Sequence, residues 1–392
     1  MEPKIRFKGF EGEWKKVKAN FIFKTFNEKK RPDLPVLSAT QDRGMVTRDS
    51  IGYKIDHDKT NEATYKHILP GQFVIHLRSF QGGFAHSEIE GIASPAYTIM
   101  EFKNKELHHD YYWRYVFMSK KFIKSLEYIT YGIRDGRSIS YDDFKETSFI
   151  VPSKREQIKI AKYNKELDSQ ISASTSRLAT LKQMKAASLQ AMFPQEGEIV
   201  PKIRFKGFEG EWKKVKADSI FKTFNEKNRP DLPVLSATQD RGMVTRESIG
   251  YNIFHDTSNE ATYKHILPGQ FVIHLRSFQG GFAHSEIEGI ASPAYTIMDF
   301  KNKDLYHDYY WRYVFMSKEF IKRLELITYG IRDGRSISYD EFKEMSFLVP
   351  SKEEQIKIAS YLKNLDRQIS LQSQRLEKLK QIKSACLDKM FV

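Results

Sequence analysis

Pro3-Lys-Ile-Arg-Phe-Lys-Gly-Phe-Glu-Gly-Glu-Trp14 returns unchanged as Pro201-Lys-Ile-Arg-Phe-Lys-Gly-Phe-Glu-Gly-Glu-Trp212. The offset of 198 residues holds without a gap to Met192-Phe193 and Met390-Phe391. The 392-residue chain is therefore one unit written twice. Solenoids and propellers repeat every ~20–50 residues, so a period this long predicts two whole domains on a pseudo-two-fold. Changes between the copies are sparse and mild over most of the unit, as in Asp49 to Glu247 and Glu101 to Asp299. They are denser over the last stretch of each unit. The exception in the first part is 54–60 against 252–258.

Lys and Arg number 64 against 50 Asp and Glu, a formal net charge of +14. That excess points to a polyanionic partner, nucleic acid ahead of a membrane surface. Apolar residues at 40% and charged residues at 29% are a globular composition, not a disordered one. The single cysteine, Cys386, excludes a disulfide framework and a Cys-based zinc site. It also fits a reducing compartment. No apolar run approaches the ~18–20 residues of a membrane span, and Met1 to Phe7 has no apolar leader core. The expectation is a soluble cytoplasmic protein with no membrane partner.

The first ~150 residues of each unit read as mixed and strand-rich. Leu34 to Thr40 is a β-prone run ending in the turn Gln41-Asp-Arg-Gly44. Phe73 to Leu77 follows the turn Leu69-Pro-Gly-Gln72 as a strand, and Gly82-Gly83 breaks the chain again. Ile92 to Met100 is β-rich, but Pro95 restricts it to an edge or bulge. His109 to Leu126 carries apolar residues at helical spacing and predicts one helix. Tyr131 to Arg137 is a loop, and Phe149-Ile-Val151 is a short strand stopped by Pro152.

From Ser153 to about 191 there is neither Gly nor Pro. Ser153 and Glu156 have the spacing of a capping box. Ile160, Leu167, Ile171, Leu178 and Leu181 then follow a 4-3 alternation, with Asn164 and Ser174 as polar breaks. The second copy is cleaner, with Ile358, Leu362, Leu365, Ile369, Leu376 and Leu379. This is the seam of a coiled coil. Two such helices, each about 54 Å long at 1.5 Å per residue, favour pairing with each other, antiparallel under the pseudo-two-fold. The domain reading is 1–152, a long helix at 153–193, then 194–350 and a second long helix at 351–392. The fold class is α+β.

Catalytic signatures are missing. There is no phosphate-binding G-x-x-x-x-G-K-[ST], no G-x-G-x-x-G, no H-E-x-x-H and no G-x-S-x-G. The N/D-P-P-Y/F run of an adenine methyltransferase does not occur. The histidines form no i,i+4 ligand pair, and Cys386 is matched by Ser188. No metal site and no catalytic residue is expected. Three loops per unit instead combine Arg or Gln with Gly. They carry Gln41 and Arg43, Arg78 and Gln81, and Arg134 and Arg137. Their counterparts are Gln239 and Arg241, Arg276 and Gln279, and Arg332 and Arg335. Arg pairs bidentately with the O6/N7 edge of guanine and Gln with the N6/N7 edge of adenine. Solvated turns are the plain alternative for any one loop. Three per unit in a basic chain favour DNA.

Several runs also resemble a known family. They are Leu34-Pro-Val-Leu-Ser-Ala-Thr-Gln-Asp-Arg-Gly44, Leu69-Pro-Gly-Gln-Phe-Val74, Gly82-Gly83, Ser94-Pro-Ala-Tyr97, and Val151-Pro-Ser-Lys-Arg-Glu-Gln-Ile158 at the start of the long helix. The second copy repeats each of them. Their order resembles the specificity subunit of type I restriction-modification systems, twice over. Members of that family often carry two dissimilar recognition domains, whereas here the two are nearly alike. The resemblance implies two target-recognition domains, each reading half of a split double-stranded DNA site, and an antiparallel coiled coil that sets their separation. It implies two modification (methyltransferase) subunits as partners, which use S-adenosylmethionine, and restriction subunits, which use ATP with Mg. It assigns no cofactor to this chain. A stand-alone duplicated DNA-binding repressor is the alternative, and a nuclease or methyltransferase is the reading from another class.

Overall fold

The computed structural model describes residues 2–40, 43–51, 59–76, 83–126, 130–131, 138–238, 241–249, 257–274, 281–326, 328–329 and 336–392. Two compact units result. One comprises Met1–Ser176 with Gln374–Val392, and the other Arg177–Ser373. Each unit thus takes the start of its own long helix and the end of the other repeat's helix.

In the first unit, β1 (Lys15–Lys18) and β12 (Ser148–Val151) pair antiparallel. Between them run α1 (Ala19–Ile22), β2 (Phe23–Phe26), β3 (Leu37–Thr40), β4 (Gly44–Thr47), β5 (Lys66–Ile68), β6 (Phe73–Ile75), β7 (Phe84–His86), β8 (Gly91–Ala93) and β9 (Thr98–Phe102). Then come α2 (Asp110–Met118), α3 (Lys120–Leu126), β10 (Thr130–Tyr131), β11 (Ser138–Ile139) and α4 (Tyr141–Phe144). The long helix α5 spans Lys154–Ala191, and its counterpart spans Lys352–Lys389. The second unit repeats this order.

The central sheet has the order β2-β9-β6-β7, all antiparallel. Its strand β6 is apolar on both faces because both faces are covered. On β6, Phe73 and Ile75 enter the main core with Trp113 and Phe117 of α2. Val74, on the opposite face by the period of two, enters a smaller core with Leu37, Met45, Ile68 and Ile99. This two-sided burial explains the unbroken apolar run at 73–75.

Three expectations need correction. The predicted helix from His109 to Leu126 is two helices, divided at Ser119 in an extended conformation. Ser119 Oγ donates to Val116 O at 2.7 Å and accepts from Phe122 N at 3.3 Å, ending one helix and starting the next. The β-rich run at 92–100 is not one edge strand. Pro95 sits in a turn closed by Tyr97 N to Ser94 O at 3.1 Å, and β9 beyond it is a central strand. The capping box is half formed: Glu156 N reaches Ser153 Oγ at 3.4 Å, but the carboxylate of Glu156 turns to Arg6. Arg6 Nε and Nη2 donate to its two oxygens at 2.8 and 2.9 Å, which docks the 3–14 segment on the helix start. Arg204 and Glu354 repeat the arrangement.

Along α5, Ile160, Leu167 and Leu181 are buried, and Ile171 and Leu178 are half-buried. On the second long helix, Ile358, Leu362, Leu365, Leu376 and Leu379 are buried and Ile369 is half-buried. In the first unit, Leu379, Cys386, Met390 and Phe391 join the core of 14–167. Lys383 pairs with Asp168, which also accepts from Tyr115 OH at 2.8 Å. Asp168 therefore ties α2, α5 and the second long helix at one point. In the second unit Lys185, Asp366 and Tyr313 do the same. Within each unit the two helix segments run antiparallel, since Ile5 N reaches Lys389 O at the start of the unit and Lys383 reaches Asp168 further along α5. No helix among the described residues is long and apolar enough to cross a membrane.

Candidate nucleic-acid interface

In the first unit the three sequence-predicted loops rise from stems that touch. The first stem is the β3–β4 hairpin, paired from Leu37↔Thr47 to Thr40↔Gly44. Thr40 Oγ1 donates to Gly44 O at 2.8 Å and accepts from Arg43 N at 3.2 Å, which holds the turn. Gly44 has φ +76°, and a Cβ there would lie 2.2 Å from His86 O on β7. Only glycine satisfies both the left-handed backbone and the close approach. Met45 bridges Ser87 in parallel, so β4 and the strand containing β7 run the same way. Both strands therefore start from the same end.

The second stem is β6–β7, extended past Ile75↔Phe84 by His76 N to Gly83 O at 2.9 Å. The third is β10–β11, paired at Thr130↔Ile139 and Tyr131↔Ser138. Gly83 joins these two, because a Cβ on it would lie 2.2 Å from Ile139 Cδ1. The fold thus brings together the stems of three loops that are about 35–90 residues apart in the chain.

Of the predicted contact residues, Arg43 and Arg241 lie within the described structure, and both are exposed. Arg43 Nη1 reaches Ser50 O at 3.4 Å, and Arg241 Nη1 reaches Ser248 O at 3.5 Å. No carboxylate among the described residues holds either group. Other arginines differ: Arg31 is held by Asp33 at 2.9 Å and Arg114 by Glu88 at 2.5 Å. Gln41, Arg78, Gln81, Arg134, Arg137, Gln239, Arg276, Gln279, Arg332 and Arg335 lie outside the described residues, and only their stems are placed.

Three histidines of the first unit are engaged inside the fold. His67, buried, meets Glu28 Oε2 at 3.2 Å through Nδ1 and Glu90 Oε1 at 2.8 Å through Nε2. His86 Nε2 meets Asp110 Oδ2 at 2.9 Å at the start of α2. Burial lowers the pKa of His108 to about 4, with Lys154 adding to it. No group of three or more His, Cys, Asp or Glu among the described residues could hold a metal ion.

The sequence reading passed over Arg48 and Arg246. Each sits at the foot of the first hairpin, with its Nε on a serine of the facing strand at 3.3 Å. Nothing in Thr47-Arg-Asp49 separates it from an ordinary surface turn.

The Type I restriction modification DNA specificity domain matches residues 209–381. No curated protein matches the chain. Among solved structures, the type I restriction-modification S subunit from M. genitalium is similar over 100% of this chain and 99% of its own, at 14% identity and a TM-score of 0.62. A structure described under complex assembly and conformational transition of the type I R-M system is similar over 97% of this chain and 98% of its own, at 15% identity and a TM-score of 0.50. These likenesses show a shared fold. Residues 11–183 repeat the matched stretch without a gap, so both units are similar to the type I restriction modification DNA specificity domain.

Proposed function

We propose that this chain is the non-catalytic address reader of a type I restriction-modification complex, recognising a bipartite, near-palindromic site in double-stranded DNA. The observation that carries the reading is the contact between the stems of three Arg/Gln-bearing loops, in a unit whose sequence occurs twice in a +14 chain. Near-identical units read near-identical half-sites. The difference between 54–60 and 252–258 is where the half-sites can diverge. Two modification subunits supply S-adenosylmethionine chemistry on adenine, and restriction subunits supply ATP- and Mg-dependent cleavage. This chain holds neither cofactor. The repressor reading has no use for helices of this length.

The test is a map of methylated adenines in DNA from a host carrying this chain with its modification subunit. An interrupted palindrome, or a near one, is the expected result. Two unrelated half-sites would sink the symmetry argument, and no new methylation would sink the assignment.

A further inference from the structure

Arg48 and Arg246 are partly enclosed by the fold, and no counter-ion meets either among the described residues. Arg48 opens the 3-10 turn Arg48–Ile51 that follows β4. Its Nε donates to Ser38 Oγ at 3.3 Å, and its guanidinium lies 6.0 Å from the centre of the Tyr65 ring. Nη1 is closed off from solvent and meets no acceptor. Arg246 repeats each feature, with Ser236 Oγ at 3.3 Å, the Tyr263 ring at 5.9 Å and an enclosed Nη1. Asp49 and Glu247, the next residues, are exposed and form no ion pair with them.

The surroundings are basic. Lys66 Nζ donates to Tyr97 O at 2.6 Å beside Lys29. Burial and the Lys29 charge both lower the pKa of Lys66. Glu28 and Glu90 are engaged by His67 and Arg31.

An enclosed guanidinium normally has a carboxylate partner, because leaving its N–H donors unpaired costs stability. No such partner stands among the described residues of either repeat, which leaves each guanidinium open to a counter-ion that arrives with a ligand. With Nε on a serine and Nη1 enclosed, Nη2 is the guanidinium donor left to meet a phosphate oxygen. Arg48 also shares its 3-10 turn with the Ser50 carbonyl that Arg43 touches, so the two guanidinium groups flank one turn of one hairpin. We infer that Arg48 and Arg246 each hold a backbone phosphate of the DNA, seating the β3–β4 hairpin and its counterpart on the duplex. Such a contact positions the reader and carries no sequence information. The inference rests on the DNA-reading function proposed above.

The experiment measures binding of the full-length chain to a mixed-sequence duplex over a range of salt concentrations, with thermal stability recorded for every variant. Each lost phosphate contact lowers the slope of log K against log salt by about 0.9, so Arg48→Gln should lower it by that much and Arg48→Gln with Arg246→Gln by about 1.8. Arg48→Lys, which keeps the charge, should retain the wild-type slope. If Arg48→Gln does not fold, Arg48→Met supplies the neutral case with the aliphatic stem in place. A folded neutral variant with an unchanged slope overturns the proposal, whether or not its melting temperature has moved. So does a loss confined to one target sequence, which would mark a base contact. A wild-type chain that fails to bind duplex at low salt would instead remove the DNA-reading function itself.

Discussion

Asn164→Leu should stabilise the protein, by an amount that follows from the two copies of the helix. Asn164 is fully buried on the seam of α5. Its Nδ2 donates to Ile160 O at 3.0 Å, one turn back, while Oδ1 is enclosed without a partner. An orphaned buried acceptor costs about 1–3 kcal/mol. The equivalent residue, Leu362, is just as buried and belongs to the second unit's core. Burying a leucine contributes about 1.5–3 kcal/mol, and a partial misfit of the new side chain would cancel about 1–3 kcal/mol of the combined gain. The net expectation is a gain of about 2 kcal/mol. The reverse change, Leu362→Asn, loses the burial and creates the orphan, for a loss of about 3–5 kcal/mol. Urea unfolding of the full chain measures both. The midpoint should rise in the first variant and fall in the second, with slopes unchanged. A stability loss on Asn164→Leu would refute the reasoning, since it would mean that Oδ1 has a partner or that the slot is shaped for an amide.

Three further outcomes are expected. Gly44→Ala forces a left-handed non-glycine backbone and a Cβ 2.2 Å from His86 O, so the hairpin must shift. Strain of about 1–3 kcal/mol should appear in the melting temperature, and methylome mapping should show relaxed specificity in one half-site only. His108 is held neutral in the fold, its pKa lowered to about 4 from 6.5. The unfolded chain therefore binds the extra proton first, and this contribution to stability is lost as pH falls from about 6.5 towards 4. His108→Tyr, the residue at the equivalent Tyr306, should flatten the pH dependence of the urea midpoint over that window; an unchanged profile counts against it. Finally, a fragment of residues 199–392 leaves unfilled the places that Leu181, Met192 and Phe193 occupy in the second unit's core. A second copy's Leu379, Met390 and Phe391 can fill them, so the fragment should sediment as a dimer at micromolar concentration. A monomer there would mean that the helix segments do not exchange.

What the sequence determined by itself is what short-range pattern can encode. The repeat is explicit in the residues. The 4-3 spacing from Ile160 to Leu181 identifies the buried stripe of a long helix, because a helix returns to the same face every three or four residues. Gly44, Gly83 and the turn before Phe73 mark where strands end. Tertiary structure decided everything that depends on residues far apart in the chain. Periodicity says which face of a helix is buried but not what buries it, so the closure of the first core by Leu379, Met390 and Phe391 could not be read. The Ser153–Glu156 spacing predicts a reciprocal cap, yet Glu156 binds Arg6, 150 residues away, because a buried carboxylate gains more from a guanidinium than from a backbone N–H. The break at Ser119 shows the same limit: the apolar spacing continues through it, but a serine that closes one helix and caps the next turns the chain. Arg48 looks like any surface arginine until the fold encloses it, for whether a charge has a partner is a property of the three-dimensional neighbourhood and not of the residues beside it.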